Sequence, residues 1–287
     1  MNARFAVPVL FTSSIGWGFT WLPIKTLNNM GLDSLHLIFI AFLSGTVLLS
    51  PWLYRHYSLW RNSFGMMIMI ACAGGIANVS FQVAIFHGDV VRVMLLFYLL
   101  PVWSVLGGKL FLNEKIDLLR WISMSACLIG AFLILDIWNT SWQAISGIDV
   151  MAISAGMGLA ATNILFRSSS PEIPVISKVA STFIGCTILI GISLMIFPTP
   201  ADLPTNGAIP LAILYGTLWL TVITIGTQWG VTQLQVGQSA IIIVMELLVA
   251  VASVSILTSK GLVTNELIGG VMVLSAALLE GARSDSA

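Results

Sequence analysis

Charge is what this chain has least of. Only 8% of its 287 residues are Asp, Glu, Lys or Arg, against roughly 25% in soluble domains, so a water-soluble globular fold is excluded as the main architecture. The charges also cancel, 12 basic against 12 acidic, which removes the basic surface that a nucleic-acid partner requires. Histidine is sparse too. His36, His56 and His87 fall on different segments with no metal-ligand spacing, and no metal or other cofactor is expected. Cys72, Cys127 and Cys186 lie inside apolar runs and read as small buried hydrophobes, not as disulfide partners or metal ligands. A Gly-x-Ser-x-Gly turn and a phosphate-binding loop are both missing. An intramembrane enzyme is therefore a remote alternative, and ATP-driven transport by this chain alone is not expected.

Apolar sequence is abundant instead. Hydrophobic residues make up 57% of the chain, and its mean hydropathy is +0.99. A helix crosses a bilayer with about 20 mostly apolar residues. Ten segments qualify: about 5–25, 34–53, 64–86, 89–112, 118–137, 148–167, 176–197, 208–230, 237–258 and 263–281. The first is read as a span and not as a cleaved signal peptide, because its apolar run continues too far. Lipid gives the backbone no hydrogen-bond partners, so the expected fold class is an all-α membrane protein of ten transmembrane helices. Arg4, Arg55, Arg61, Lys109, Lys115, Arg120, Arg167, Lys178 and Arg283 then share one side, and only Lys25, Arg92 and Lys260 the other. That bias puts the first group, and both termini, in the cytoplasm. Trp52, Trp60, Trp138 and Trp142 fall at span ends, where interfacial anchors belong.

The two halves resemble each other weakly. A shift of 146 residues, without gaps from about 82 to 131, carries Gln82 onto Gln228, Val90 onto Val236, Val105 onto Val251, Ile122 onto Ile268 and Leu128 onto Leu274. The span boundaries match as well. Five spans per copy is an odd number, so the second copy enters the membrane inverted. The expected organisation is two five-helix repeats, 1–140 and 141–287, with a site between them near the midplane.

Glu246 is the lone charge of Ser239 to Leu257. A charge at that depth costs roughly 2.5–3.5 kcal/mol on insertion scales. It can bind a cationic group, carry a proton or pair with a cation; a protonated carboxyl in a helix–helix hydrogen bond is the plainer alternative. Lys25 and Arg92 are candidates for a gate or a carboxylate anchor. Lys25 can also snorkel, and Arg92 can pair with Asp89 one turn away. Gln82, Gln228, Asn78 and Asn163 could hydrogen-bond a cargo or simply tie helices together. Trp17 and Trp21, four apart and so on one helix face, join Tyr98, Trp103 and Trp229 as aromatics that could hold a planar or cationic cargo or face lipid. Pro101, and Pro23 near the end of the first span, are expected to break helices and ease bending. The spacings Ser14 to Gly18, Ala126 to Gly130 and Gly156 to Ala160 suit close helix packing.

Three stretches carry a family resemblance. LLPVWSVLGGKLFLNEKI, Leu99 to Ile116, resembles the apolar-Pro, small-residue, Leu-x-Glu signature of EamA-type transporters in the drug/metabolite transporter superfamily. Val244 to Gly270 resembles its second copy, with Leu247 where the family often has Pro and Lys260 where copy one has Glu114. IGWGFTWLPIK, ending at Lys25, resembles the Trp-Gly…Lys opening. Arg92 and Gln238 stand where the family usually has small residues. The resemblance implies a ten-helix permease, commonly in a bacterial inner membrane, working by alternating access through a central cavity. It implies a small-molecule substrate, most simply an exported amino acid or related compound, with a coupling ion or counter-substrate as partner. A larger nucleoside-like or cationic cargo is the alternative. Such a fold can be complete as a monomer.

Overall fold

In a computed structural model, which describes residues 5–139, 144–196, 207–258 and 261–283, every regular element is helical. Arg4, Trp142 and Lys260, counted above for orientation and anchoring, lie outside the described residues. The helices are α1 (Ala6–Gly18), α2 (Trp21–Asn29), α3 (Ser34–Arg55), α4 (Tyr57–Trp60), α5 (Phe64–His87), α6 (Val90–Phe97), α7 (Leu100–Leu112), α8 (Leu118–Ile134), α9 (Gly147–Ser168), α10 (Val175–Ile196), α11 (Ala208–Leu214), α12 (Thr221–Gln233), α13 (Val236–Ile243), α14 (Met245–Thr258) and α15 (Thr264–Gly281). A π-helical turn, Tyr215–Leu220, joins α11 to α12. Taken with their continuations, eight of these are long and apolar enough to cross a membrane. α8 is a shorter apolar helix, and α15 has 18 residues. The chain is an integral, multi-pass membrane protein.

Small residues set the packing. Without a hydrophobic force between helices in lipid, close backbone approach supplies the contact. A Cβ on Gly185 of α10 would run into the Ala71 carbonyl of α5, and one on Gly75 would lie 2.7 Å from the Gly185 carbonyl. The Cys186 thiol donates to the Gly74 carbonyl across the same seam at 3.6 Å. α8 crosses α15 at Gly130, where a Cβ would lie 2.7 Å from the Gly269 carbonyl. Gly156 of α9 passes the Phe97 carbonyl at the same distance. The small-residue spacings read from the sequence therefore mark real crossings. Cys127 and Cys186 are buried, but Cys72 is exposed on the α5 surface, contrary to expectation.

Several long segments are broken within their length. α1 stops at Gly18 and restarts at Trp21, with the Thr20 hydroxyl donating to the Trp17 carbonyl at 2.6 Å. α6 stops at Phe97 and α7 begins at Leu100, bridged by Leu99 N–H to Leu96 O and Val102 N–H to Leu99 O. α13 gives way to α14 at Val244, where Leu247 N–H reaches Val244 O at 3.0 Å. Pro101 is not a mid-helix kink. It occupies the first turn of α7, where its missing N–H costs nothing, and the break precedes it at Tyr98–Leu99. The interruption of α1 likewise puts Trp17 and Trp21 on two helices instead of one face.

The close seam yields a stability test. Gly185→Ala should destabilise the protein by about 1–3 kcal/mol, since the neighbour is backbone and cannot yield. Gly65→Ala, with no atom within 4 Å of the added carbon, should stabilise α5 by up to about 1 kcal/mol. Thermal unfolding in detergent measures both.

Candidate functional site

The broken helices meet at Glu246. It lies in the first turn of α14, where the helix N-terminus favours a negative charge. Tyr98, which closes α6, donates its hydroxyl to Glu246 Oε1 at 3.2 Å and is only 2% exposed. Gly18, the last residue of α1, is the third party: a Cβ there would lie 2.7 Å from the Glu246 carbonyl and 2.6 Å from Val249 Cβ. Three chain breaks therefore meet at one residue, through its carboxylate on the Tyr98 side and its backbone carbonyl on the Gly18 side. Among the described residues Glu246 has no ion-pair partner.

Two indoles flank the α1 break, each tethered. Trp17 Nε1 donates to Thr227 Oγ1 of α12 at 3.0 Å, and Trp21 Nε1 donates to Ser253 Oγ of α14 at 2.9 Å. Ser253 is two turns beyond Glu246, about 10 Å along α14. Lys25 is exposed, with its ammonium 5.9 Å from the centre of the Trp21 ring. Glu246, Trp21 and Lys25 thus form a series running towards one end of the bundle. A cleft of about 500 Å³ opens beside it between α2 and the π-helical turn, lined by Phe19, Pro23, Tyr215 and Trp219 among others.

That end also holds Arg92. Its guanidinium forms a two-pronged bond to Asp149 of α9, Nε to Oδ1 at 2.6 Å and Nη2 to Oδ2 at 2.7 Å. The local pairing with Asp89 expected from spacing does not form through the side chain. Asp89 instead caps α6, accepting from the Arg92 N–H at 2.9 Å. Asp149 is fixed further by Ser146, whose backbone N–H donates to it at 2.7 Å.

Towards the opposite end the polar residues turn inwards. Gln228 Nε2 donates to Asn163 Oδ1 at 3.3 Å, and both residues are buried. Among the described residues Asn163 Nδ2 and Gln228 Oε1 have no partner. No hydrogen bond joins Gln228 to Gln82 among the described residues, so the matched glutamines do not act as a direct pair; Gln82 is half-buried. Asn78 bonds its own helix at the Gly74 carbonyl, 2.9 Å away. Trp103 keeps a buried, unpartnered indole N–H, and Trp229 packs against the main core. Arg167 reaches the Thr232 carbonyl at 2.8 Å.

A charge cluster that sequence reading missed closes this second end. Arg120 is 2% exposed and Glu280 fully buried; Arg120 Nε lies 3.1 Å from Glu280 Oε2, and Nη2 donates to Gln235 Oε1 at 2.8 Å. Arg283 bridges Glu280 to Asp117, and its hydrogen bonds hold the Asp117 carboxyl down at about 2. Glu114 accepts the Val236 N–H, at 2.9 and 3.1 Å to its two oxygens. The signals for this cluster were two groups of charges at span ends, Glu114 to Arg120 and Glu280 to Arg283, whose distance in sequence hid their contact.

Residues 4–136 match the EamA-like transporter family. A riboflavin transporter from Brucella anthropi is 26% identical over 154 residues. That alignment covers 53% of each protein, so the chain spans about half the length of the curated relative it matches. One solved crystal structure superposes with a TM-score of 0.78 over 96% of this chain and 95% of its own, at 14% identity, a likeness of fold alone. The first part of this integral, multi-pass membrane chain is thus similar to a family of transporters, over the stretch that holds the Leu99 to Ile116 signature.

Proposed function

We propose that the chain is a secondary active transporter that moves a small metabolite by alternating access, with Glu246 at the centre of its path. The observation that carries this reading is the convergence of three helix breaks on one acidic residue, Glu246, near the middle of the long apolar segment Val236–Thr258. Broken helices at a shared midplane site are the usual construction of such transporters. Glu246 pairs with a cationic group of the cargo or carries a proton, Tyr98 orients it, and Trp17 and Trp21 offer aromatic faces.

The architecture we infer is ten spans in two inverted repeats, 1–140 and 141–287. Its support is the coincidence of element boundaries under the 146-residue shift. α6, Val90–Phe97, falls on α13, Val236–Ile243, end for end, and α8, Leu118–Ile134, falls on residues 264–280 of α15. The contacts pair in the same way: α5 packs on α9 as α12 packs on α1, and α7 on α9 as α14 on α1. The Lys and Arg asymmetry supports cytoplasmic termini, and a bacterial inner membrane is the setting we propose.

For the cargo, one acid beside indoles suits an amino acid or a related compound, and export follows the family tendency. A second reading is a flat heterocycle of the riboflavin kind. It is favoured by the relative's name and by the presence of two indoles, Trp17 and Trp21, on either side of the α1 break.

Counterflow into liposomes, with labelled amino acids and labelled riboflavin in parallel, separates the two readings. Glu246→Gln should slow counterflow of whichever cargo is accepted by roughly tenfold, the scale of one charge-assisted hydrogen bond, and should flatten its pH dependence. Parent-like transport across the pH range would remove Glu246 from the path. Tyr98→Phe, which keeps the ring and loses the donor, should cost about fivefold, near the net value of a neutral bond.

A further inference from the structure

The two broken helices are not in the same environment. All eight residues of α13 are buried, whereas α6 buries only Val93, Leu95 and Phe97, and Val90 at its start is 53% exposed. The bundle is therefore sealed around the start of α13 and looser around the start of α6. Four polar ties make the seal: Arg120 to Glu280, Arg120 to Gln235, Arg167 to the Thr232 carbonyl, and Glu114 to the Val236 N–H.

Glu114 is the part of the Leu-x-Glu signature that the proposed cargo path leaves unused. Its placement is specific. Asn113 turns the chain in the left-handed region, at φ 55°, and the Glu114 N–H then bonds back to the Gly108 carbonyl at 3.1 Å. Gly108 leaves room for the returning carboxylate, since a Cβ there would lie 2.6 Å from Glu114 Oε2. The carboxylate crosses from the first half of the chain to the second, meeting the first N–H of α13, where helix N-termini favour anions. Beside it, Gly237 lets Arg120 lie across α13, because a Cβ would come 2.6 Å from Arg120 Nη1. By sequence the counterpart of Glu114 in the second copy is Lys260, which cannot accept an N–H. The other end uses the Arg92–Asp149 pair instead.

We propose that Glu114 is the latch of the gate at the Arg120 end: docked on Val236 it holds α13 closed over the path to Glu246, and its release lets α13 withdraw. The proposal rests on the transporter reading, and on the Lys and Arg count for placing this end in the cytoplasm. Arg120 and Glu280 act with the latch by fixing the flank of α13 against α8 and α15.

The test needs no cargo. Ser239 of α13 is fully buried, so Ser239→Cys, in a chain whose Cys72, Cys127 and Cys186 are replaced, reports opening through its reaction with a membrane-impermeant maleimide. In inside-out vesicles Glu114→Ala should speed labelling roughly tenfold, as loss of a bond to a charged group implies. Glu114→Gln, which keeps the volume and a neutral acceptor, should give a smaller rise and serves if the alanine variant fails to fold. Lys115→Ala, at the exposed neighbouring position, should label as the parent does. Parent-like labelling of a folded Glu114 variant overturns the latch. So does equal acceleration by Lys115→Ala, or labelling that rises only from the opposite face. Loss of counterflow with gated labelling intact would instead count against the transport reading alone.

Discussion

Lipid gives the backbone nothing to bond with, and every irregular feature of this bundle has to answer that constraint. Three segments nevertheless stop and restart within their length. Each break is closed by short-range bonds, such as Leu99 to Leu96 and Leu247 to Val244, and each is covered by another break. Tyr98 of one lies on Glu246 of the next, and Gly18 of the third presses against the Glu246 carbonyl. Irregular backbone at depth is tolerated only where protein or a cavity surrounds it. The convergence is thus both what permits the breaks and what makes a mid-membrane carboxylate tenable.

From that centre the two directions differ. Towards the Arg92 end lie a buried Ser253, a half-buried Trp21 and an exposed Lys25. Towards the Arg120 end the polar atoms are drawn into pairs, Asn163 with Gln228 and then Arg120 with Glu280. A buried ion pair is weak support for stability, because desolvation offsets most of the attraction, yet removing one partner is costly. Such pairs are better suited to choosing between arrangements than to strengthening one. The location of Arg120 and Glu280, at the crossing of α8, α13 and α15, fits that use.

Much of the fold was legible because membrane helices announce themselves by length and hydropathy. Eight of the ten expected spans, the small-residue crossings and the lone charge of Glu246 were visible. The breaks were less so. Proline drew attention to Pro101, but proline sits comfortably in a first turn, so it marks the restart and not the stop; the break at Val244 has no proline at all. Arg92 illustrates a second limit. Spacing suggested Asp89, three residues away, while the actual partner, Asp149, is 57 residues distant and is brought in by the packing of α6 on α9. Glu114 and Glu280 were hidden for the same reason. A charge near a span end looks like an ordinary interfacial residue until the partner helix is known.

The repeats proposed here have kept their element boundaries while losing their likeness in charge, and alternating access gives a reason. A transporter needs two states within a few kcal/mol of each other, or one is never populated. Identical ends would make the states equal by symmetry, and every bias would then have to come from the cargo. A Glu at position 114 matched in sequence by a Lys at position 260 removes that symmetry at little cost to the scaffold, since Glu114 lies just past the end of α7. The resting preference is then set by a few ties at the ends, the Glu114 and Arg120 contacts against the Arg92–Asp149 pair. The shared breaks around Glu246 stay common to both states. A ligand bound there shifts the balance only by as much as it favours one state over the other, which is small if its contacts at the breaks are alike in both. Selection can therefore adjust the preferred side of opening at the ends without altering the carboxylate at the centre.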